Sequence, residues 1–321
     1  MAKELRIALL LAALAGPLAA QVQEVRVQEA RALAGDGRYD EAKRLLGPRT
    51  RDPEALHLLS RIAMLQADDE AAAELCRKAV ELRPASAEYH YCLGNATRSV
   101  VQHASLFRKP ALSKEARGEL LRALELDPDH LRARIALLDF YLYAPAIGGG
   151  SEEKALEQAV EIGKRDRVRG HLARARIHAK HERVDLVRQE LLDAVREAPG
   201  SARAHSALGT HYATEAKNYA AALDELETAV RVEPAYMPAW FRLGQAVALG
   251  APNLARGEEA LERYVAYRPQ EDEPGLGTAH YYLGVVQEKQ GKTAEARRSY
   301  AAALRYDPSS KPAREALARL R

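Results

Sequence analysis

HSALGTHYATEAKNYAAALDELETAVRVEP, running from His205 to Pro234, is the stretch whose reading decides the fold. It opens on His, reaches Leu208-Gly209, crosses a polar turn, continues as an Ala-rich run and stops at Pro. Ala and Leu lose little on entering a helix, and Pro, lacking an N–H, ends one. The stretch therefore predicts two helices joined by a short turn. Such a hairpin cannot bury its apolar face alone. The same order returns in HYYLGVVQEKQGKTAEARRSYAAALRYDP, His280 to Pro308, and partly in HYCLGNAT, His90 to Thr97. In WFRLGQAVALG, from Trp240 to Gly250, Trp takes the place of the opening His. Self-similarity of this kind is the signature of a repeat architecture.

Closing prolines mark the units at Pro53, Pro84, Pro128, Pro199, Pro234, Pro269 and Pro308. The gap from Pro128 to Pro199 holds two units, with a boundary near Arg165. With Trp240-x-x-Leu243-Gly244 as the fullest match, the motifs closely resemble the tetratricopeptide repeat family, whose unit is two antiparallel helices in about 34 residues. The resemblance covers almost all of the chain beyond residue 20; it is specific in the last three units and weaker in the first and fifth. It implies an all-α, right-handed α-solenoid of about eight helix-turn-helix units with a C-terminal capping helix, Pro312 to Leu320, and a concave groove lined by the first helices. Gly94, Gly209, Gly244 and Gly284 are expected where the two helices of a unit approach closely. Ala79, Ala123, Ala194, Ala229 and Ala303, each five before the unit's end, are expected to let the next unit pack tightly. In the fifth unit Arg174 falls where Leu is expected, which leaves that register open.

The first residues read differently. MAKELRIALLLAALAGPLAAQVQ has Lys3 and Arg6, an apolar run from Ile7 to Leu14, and small residues at Ala19-Ala20. This is the pattern of a secretory signal peptide over residues 1–20, leaving 21–321 as the solenoid. An uncleaved anchor is the alternative, although the run is short for a bilayer. A periplasmic or secreted protein is expected, with no membrane span after signal removal. Lys and Arg number 48 against 45 Asp and Glu, a balance that gives no electrostatic reason to expect nucleic acid. Only 6% of residues are aromatic, so Ala, Leu and Val must build the core.

No catalytic, cofactor or metal constellation emerges. His90, His171, His205 and His280 fall in the packing slot between helices. His178 and His181 lie one turn apart, but no carboxylate completes a ligand set. There is no Gly-x-Ser-x-Gly context. The run YAPAIGGGSEEKA, Tyr143 to Ala155, follows a helix and matches no phosphate-binding motif; Pro145 ends one helix and Ser151 is the expected N-cap of the next. Asn95-Ala-Thr97 matches a glycosylation acceptor but falls within a predicted helix. Cys76 and Cys92 fall on neighbouring helices, as a disulfide or as two buried thiols.

The groove is the better place for function. In the family, ligand contacts come from fixed first-helix slots on either side of the Leu position. Here those slots carry Tyr91, Asn95 and Arg98, with Glu88, in the third unit; Arg132 and Asp139 in the fourth; Arg169 and Arg176 in the fifth; and Arg203 in the sixth. Arg132, Arg169 and Arg203 recur at one slot and suggest a ladder for acidic groups, against the alternative of a solvated Arg set. Of the family's carboxylate-clamp residues only Asn95 matches. Lengthened turns are expected at 99–114 and 144–152, which would sit side by side and present Leu106, Phe107, Arg108, Lys109 and Tyr143 as a binding edge or as an idle insertion. The sequence thus reads as a non-enzymatic scaffold or adaptor of a bacterial cell envelope for a protein or peptide partner. The alternative is a small-molecule component working with a periplasmic transporter, because some helical-repeat partners of such transporters also carry a Gly-Gly run followed by Glu-Lys-Ala.

Overall fold

The computed structural model describes residues 21–269 and 273–320, and every regular element among them is helical. The signal-like segment 1–20 lies outside the described residues. Eight hairpins follow one another. They pair α1 (residues 21–35) with α2 (Tyr39–Leu46), α3 (Pro53–Leu65) with α4 (Asp69–Leu82), and α5 (Ala87–His103) with α6 (Lys109–Leu126). Next come α7 (Leu131–Tyr143) with α8 (Glu152–Arg165), and α9 (Arg167–Lys180) with α10 (Val184–Glu197). The last three are α11 (Ala202–Thr214) with α12 (Tyr219–Val232), α13 (Met237–Leu249) with α14 (Leu254–Val265), and α15 (Leu276–Lys289) with α16 (Thr293–Tyr306). A final helix, α17 (Lys311–Arg319), buries Ala313 and Ala316 against α16. The architecture is an α-solenoid, with one continuous series of small cores running between successive helices.

Small residues set the spacing inside a hairpin. A Cβ on Gly209 would lie 2.7 Å from Leu226 Cγ and 3.0 Å from the Ala222 carbonyl, so α11 and α12 meet only because that atom is missing. Ala79, Ala123, Ala194, Ala229 and Ala303 are all fully buried. Pro53 departs from the expected role: it opens α3 in its first turn, where its missing N–H is harmless, and Asp52 caps that helix.

A recurring joint connects one unit to the next. The carbonyl of the proline between units accepts a hydrogen bond from the side chain six residues on. Trp240 Nε1 donates to Pro234 at 3.0 Å, Arg134 Nη2 to Pro128 at 2.8 Å and Arg314 Nη2 to Pro308 at 2.7 Å. His90 Nε2 and His205 Nε2 make the same contact with Pro84 and Pro199, each at 2.9 Å. The far nitrogens of those histidines face Glu119 at 2.5 Å and Glu225 at 2.6 Å on the second helix of their own hairpin. The fifth unit follows suit, with His171 Nδ1 at 2.7 Å from Glu190. Arg174 reaches the same carboxylate at 2.9 Å, so an Arg at the expected Leu position is accommodated and the register counted through His171 holds.

The third and fourth units carry the extra length, in different forms. The ten or so added residues of the third unit do not form a long turn over 99–114. They extend the helices, so that α5 has 17 residues and α6 has 18, with only 104–108 between them. Pro110 does not break the pattern because it sits in the first turn of α6. In the fourth unit a 3₁₀ turn, Ala146–Gly148, leads to Gly149 at φ 98°. A Cβ on Gly150 would lie 1.9 Å from the Ala144 carbonyl oxygen, so only Gly fits there. Ser151 then caps α8 by accepting from the Lys154 N–H. The turn rests on α6, where Gly148 approaches Ser113 and Gly149 approaches Arg117, so the two modified hairpins are neighbours.

Two long-range ties complete the fold. Cys76 on α4 and Cys92 on α5 are buried and bridged, with Cα atoms 5.7 Å apart and an S–S distance of 2.04 Å. Asp36, in the first hairpin's turn, pairs with Arg268 at 3.0 Å, and Gly37 packs on the Tyr306 ring, so the first hairpin touches the last two.

Two stability measurements follow from this packing. Trp240→Phe keeps an aromatic ring but removes the joint's donor and the pyrrole half of the indole, and is expected to lower unfolding free energy by about 1–3 kcal/mol in urea titration, whereas Trp240→Ala loses about 3–5 kcal/mol. The bridge closes a loop with a sequence separation of 16. Cys76→Ala/Cys92→Ala is therefore expected to lose about 3 kcal/mol, and dithiothreitol should lower the melting temperature of the wild type alone.

Candidate functional site

The first helices present two differently charged regions. In the third and fourth units Glu88 gathers the charges around it. Glu88 on α5 receives Arg132 Nη2 at 2.6 Å and His130 Nε2 at 3.2 Å, with His57 Nε2 3.5 Å away. The Arg132 guanidinium lies 5.0 Å over the ring of Tyr91, which is itself buried. Asn95 accepts from Arg98 Nη2 at 2.9 Å. Because Arg132 is neutralised by Glu88 and does not line the cleft formed by the later units, the structure does not assemble the three-rung ladder expected from Arg132, Arg169 and Arg203. Burial pushes the Glu88 carboxyl pKa up, but the His130 hydrogen bond and the charges of Arg132, His57 and His130 outweigh it and hold the carboxyl below its ordinary range.

The fifth to seventh units build a different surface. A cleft of about 710 Å³ is lined from α9, α10, α11 and α13 and by the Glu273-Pro274 segment. Arg169 and Arg176 from α9, Arg203 from α11 and Arg242 from α13 all line it. Ser206, Thr210 and Tyr236 add polar groups, Leu172, Val187 and Leu191 an apolar wall, and Glu215 and Glu273 negative charge. Arg169 lies 3.3 Å from Asp166, and Arg176 lies 2.8 Å from Asp139. Arg203 stacks on Tyr236 with its guanidinium 5.2 Å from the ring centre. Arg242 donates to Gln245 Oε1 at 2.8 Å and lies 5.2 Å over Phe241. Among the described residues neither Arg203 nor Arg242 has a carboxylate within ion-pair distance. Burial lowers the pKa of Arg242; burial, with the charge of Glu273, raises that of Tyr236 against the opposing charges of Arg203, Arg169 and Arg242.

Sequence slots therefore located Arg169, Arg176 and Arg203, but missed Arg242. Arg242 immediately precedes Leu243, off the slots counted from it; its only sequence signal is a charge within the apolar run of the Trp240 motif. The edge expected from the modified hairpins is exposed: Leu106 is 81% accessible, Phe107 97% and Tyr143 55%. Ile147, 98% accessible, belongs with them and was not singled out from sequence. Arg108 pairs with Glu70 at 2.9 Å, Lys109 Nζ reaches the Gln102 carbonyl at 3.5 Å, and Lys180 lies over Tyr143 at 5.4 Å. His181 pairs with Glu152 at 3.1 Å, and Asn95 lies inside α5. Among the described residues no group of three or more His, Cys, Asp or Glu converges to hold a metal, and no helix is long and apolar enough to cross a membrane.

Comparison with known proteins agrees with this architecture. Two tetratricopeptide repeat profiles match, at residues 53–86 and 277–310. Those matches fall on α3–α4 and α15–α16, so the chain carries tetratricopeptide repeats near both ends of the described solenoid. A comparison with curated proteins returns no match. Among solved structures, yeast Tom70 aligns with a TM-score of 0.60 at 13% identity, covering 93% of this chain and 58% of Tom70. A tetratricopeptide repeat protein from Parabacteroides merdae aligns over 84% of this chain and 98% of its own, at 16% identity and a TM-score of 0.45. A chain of the APC/C Cut9–Hcn1 hetero-tetramer aligns at 14% identity and a TM-score of 0.46, covering 92% of this chain and 55% of that one. The chain thus spans little more than half the length of Tom70 and of the Cut9–Hcn1 chain. The Tom70 likeness establishes the shared fold.

The pH dependence of the Glu88 cluster is testable. A carboxyl with a depressed folded pKa adds stability above its unfolded value and loses it as pH falls through the folded one. The wild type is expected to exceed Glu88→Gln in urea midpoint at pH 7, with the gap closing below the ordinary value of 4.5. A gap that stays constant between pH 7 and pH 3 would contradict the assignment.

Proposed function

We propose that the protein is a non-enzymatic scaffold or adaptor that works outside the cytoplasm, in a bacterial cell envelope, and holds a polypeptide partner along its first helices. The observation that carries this reading is the cleft of the fifth to seventh units, about 710 Å³ in volume and lined by four arginines from three consecutive first helices. An open, mixed apolar and polar surface built on rigid helices suits recognition of a chain better than turnover of a substrate. The tetratricopeptide repeats support a protein partner. The signal-like residues 1–20 support export, and a bridged Cys76–Cys92 pair is at home in an oxidising space. The exposed edge of Leu106, Phe107 and Ile147 offers a second contact surface. A small-molecule role has only the short Gly-Gly and Glu-Lys-Ala resemblance behind it.

Site-specific photo-crosslinking tests the partner surface. A benzophenone amino acid at Thr210, in the cleft, is expected to give discrete polypeptide adducts in cells, while the same group at the exposed Asp224 of α12 gives none. Equal adducts from both positions, or none from Thr210, would argue against the reading. Export has a separate test: residues 1–20 fused to alkaline phosphatase are expected to yield active enzyme outside the cytoplasm.

A further inference from the structure

We infer that the cleft of the fifth to seventh units reads acid: a polypeptide segment bearing Asp or Glu places its carboxylates on Arg203 and Arg242. The inference rests on the scaffold reading and names the chemistry of the partner. Four guanidiniums line the cleft, but they are not equivalent. Arg169 and Arg176 already have Asp166 and Asp139 beside them. Among the described residues Arg203 and Arg242 have no carboxylate within ion-pair distance; Tyr236 lies beneath the one, and Gln245 and Phe241 against the other. Both are partly buried, and both face the same cleft from adjacent first helices.

A cation withdrawn from water without a counter-charge destabilises the fold. Aromatic stacking and one amide hydrogen bond recover part of that loss, not all of it. An incoming carboxylate supplies the missing partner, and each guanidinium can hold one through paired N–H donors. Leu172, Val187 and Leu191 along the same cleft offer contact to apolar side chains of the segment. Glu215 and Glu273 line it too, and Asp166 and Asp139 stand beside two of the four guanidiniums, so a dense polyanion is disfavoured and the acids are limited to the two that Arg203 and Arg242 can hold. The preferred occupant is therefore a chain with acidic and apolar residues interleaved.

Fluorescence anisotropy with a labelled ten-residue peptide of alternating Glu and Leu, beside a Gln-Leu counterpart, tests this on the full chain freed of residues 1–20. The Glu-Leu peptide is expected to bind, to weaken as salt rises, and to lose about tenfold or more in affinity with Arg203→Gln or Arg242→Gln. The Gln-Leu peptide is expected to bind at least about tenfold more weakly than Glu-Leu. Without ligand, Arg242→Met should melt no lower than the wild type, because it removes an uncompensated charge. A lower melting temperature would assign Arg242 a structural role and overturn its part in the site. Equal binding of the two peptides would overturn acid recognition while leaving the scaffold reading intact. No binding of Glu-Leu at millimolar concentration would overturn the site. Displacement of the peptide by citrate at matching affinity would overturn the polypeptide as occupant. The crosslinking at Thr210 does not depend on the partner's charge, so it separates failure of this inference from failure of the scaffold reading.

Discussion

The joint at the inter-unit proline is the contact on which the rest of the solenoid depends. Proline ends a helix and leaves its own carbonyl without a helical partner. Here a side chain six residues along the next helix donates to that carbonyl, as Trp240 does to Pro234 and His205 to Pro199. The bond spans the break between two hairpins, so it fixes how the following first helix leaves the preceding second helix. At His90 and His205 one imidazole also reaches a glutamate on its own hairpin's second helix, tying three consecutive helices through a single ring. Close approach within the hairpin, as at Gly209, supplies the other spacing.

The cleft follows from these joints. Arg203 lies two residues before His205, and Arg242 two after Trp240. Each arginine is thus carried next to a joint, on a helix whose direction the joint fixes. That arrangement brings both cations to one cleft with no carboxylate of the described residues in ion-pair contact with either, a state that a flexible surface would relieve by turning the side chains to water. In the third and fourth units the first-helix position equivalent to Arg203 carries Glu88 and Arg132, and Glu88 holds Arg132 and removes its charge from the surface. One solenoid therefore contains a stretch where Glu88 holds the groove cation Arg132, followed by one where Arg203 and Arg242 have no carboxylate in ion-pair contact among the described residues.

Much of the fold was legible in the sequence because the repeat punctuates itself. Leu-Gly pairs and closing prolines gave the hairpins, and Ser151 was readable as a cap because a short polar residue preceded a helix pattern. The extra length of the third unit was read as a turn because the spacing of the prolines shows that residues are added but not where; they lengthen both helices, and Pro110 is tolerated in the first turn of the second. The Asp36–Arg268 contact between the first and later hairpins was invisible, since nothing local encodes how far a stack curves. At the cleft, slot counting reached Arg169, Arg176 and Arg203 but not Arg242, because side-chain reach across helices is not a matter of period. Nor could it discount Arg132, whose charge is cancelled by a residue 44 positions away. Ile147 was not legible because its exposure is set by the 3₁₀ turn Ala146–Gly148 that carries it, which no sequence period marks.

A structure of the protein with the Glu-Leu peptide bound tests the central claim most directly. The account predicts two peptide carboxylates within hydrogen-bond distance of Arg203 and Arg242, with the Trp240–Pro234 and His205–Pro199 joints unchanged from the free protein. A peptide seated instead on the Phe107 and Ile147 edge, or bound in the cleft with its acids directed away from both arginines, would contradict it.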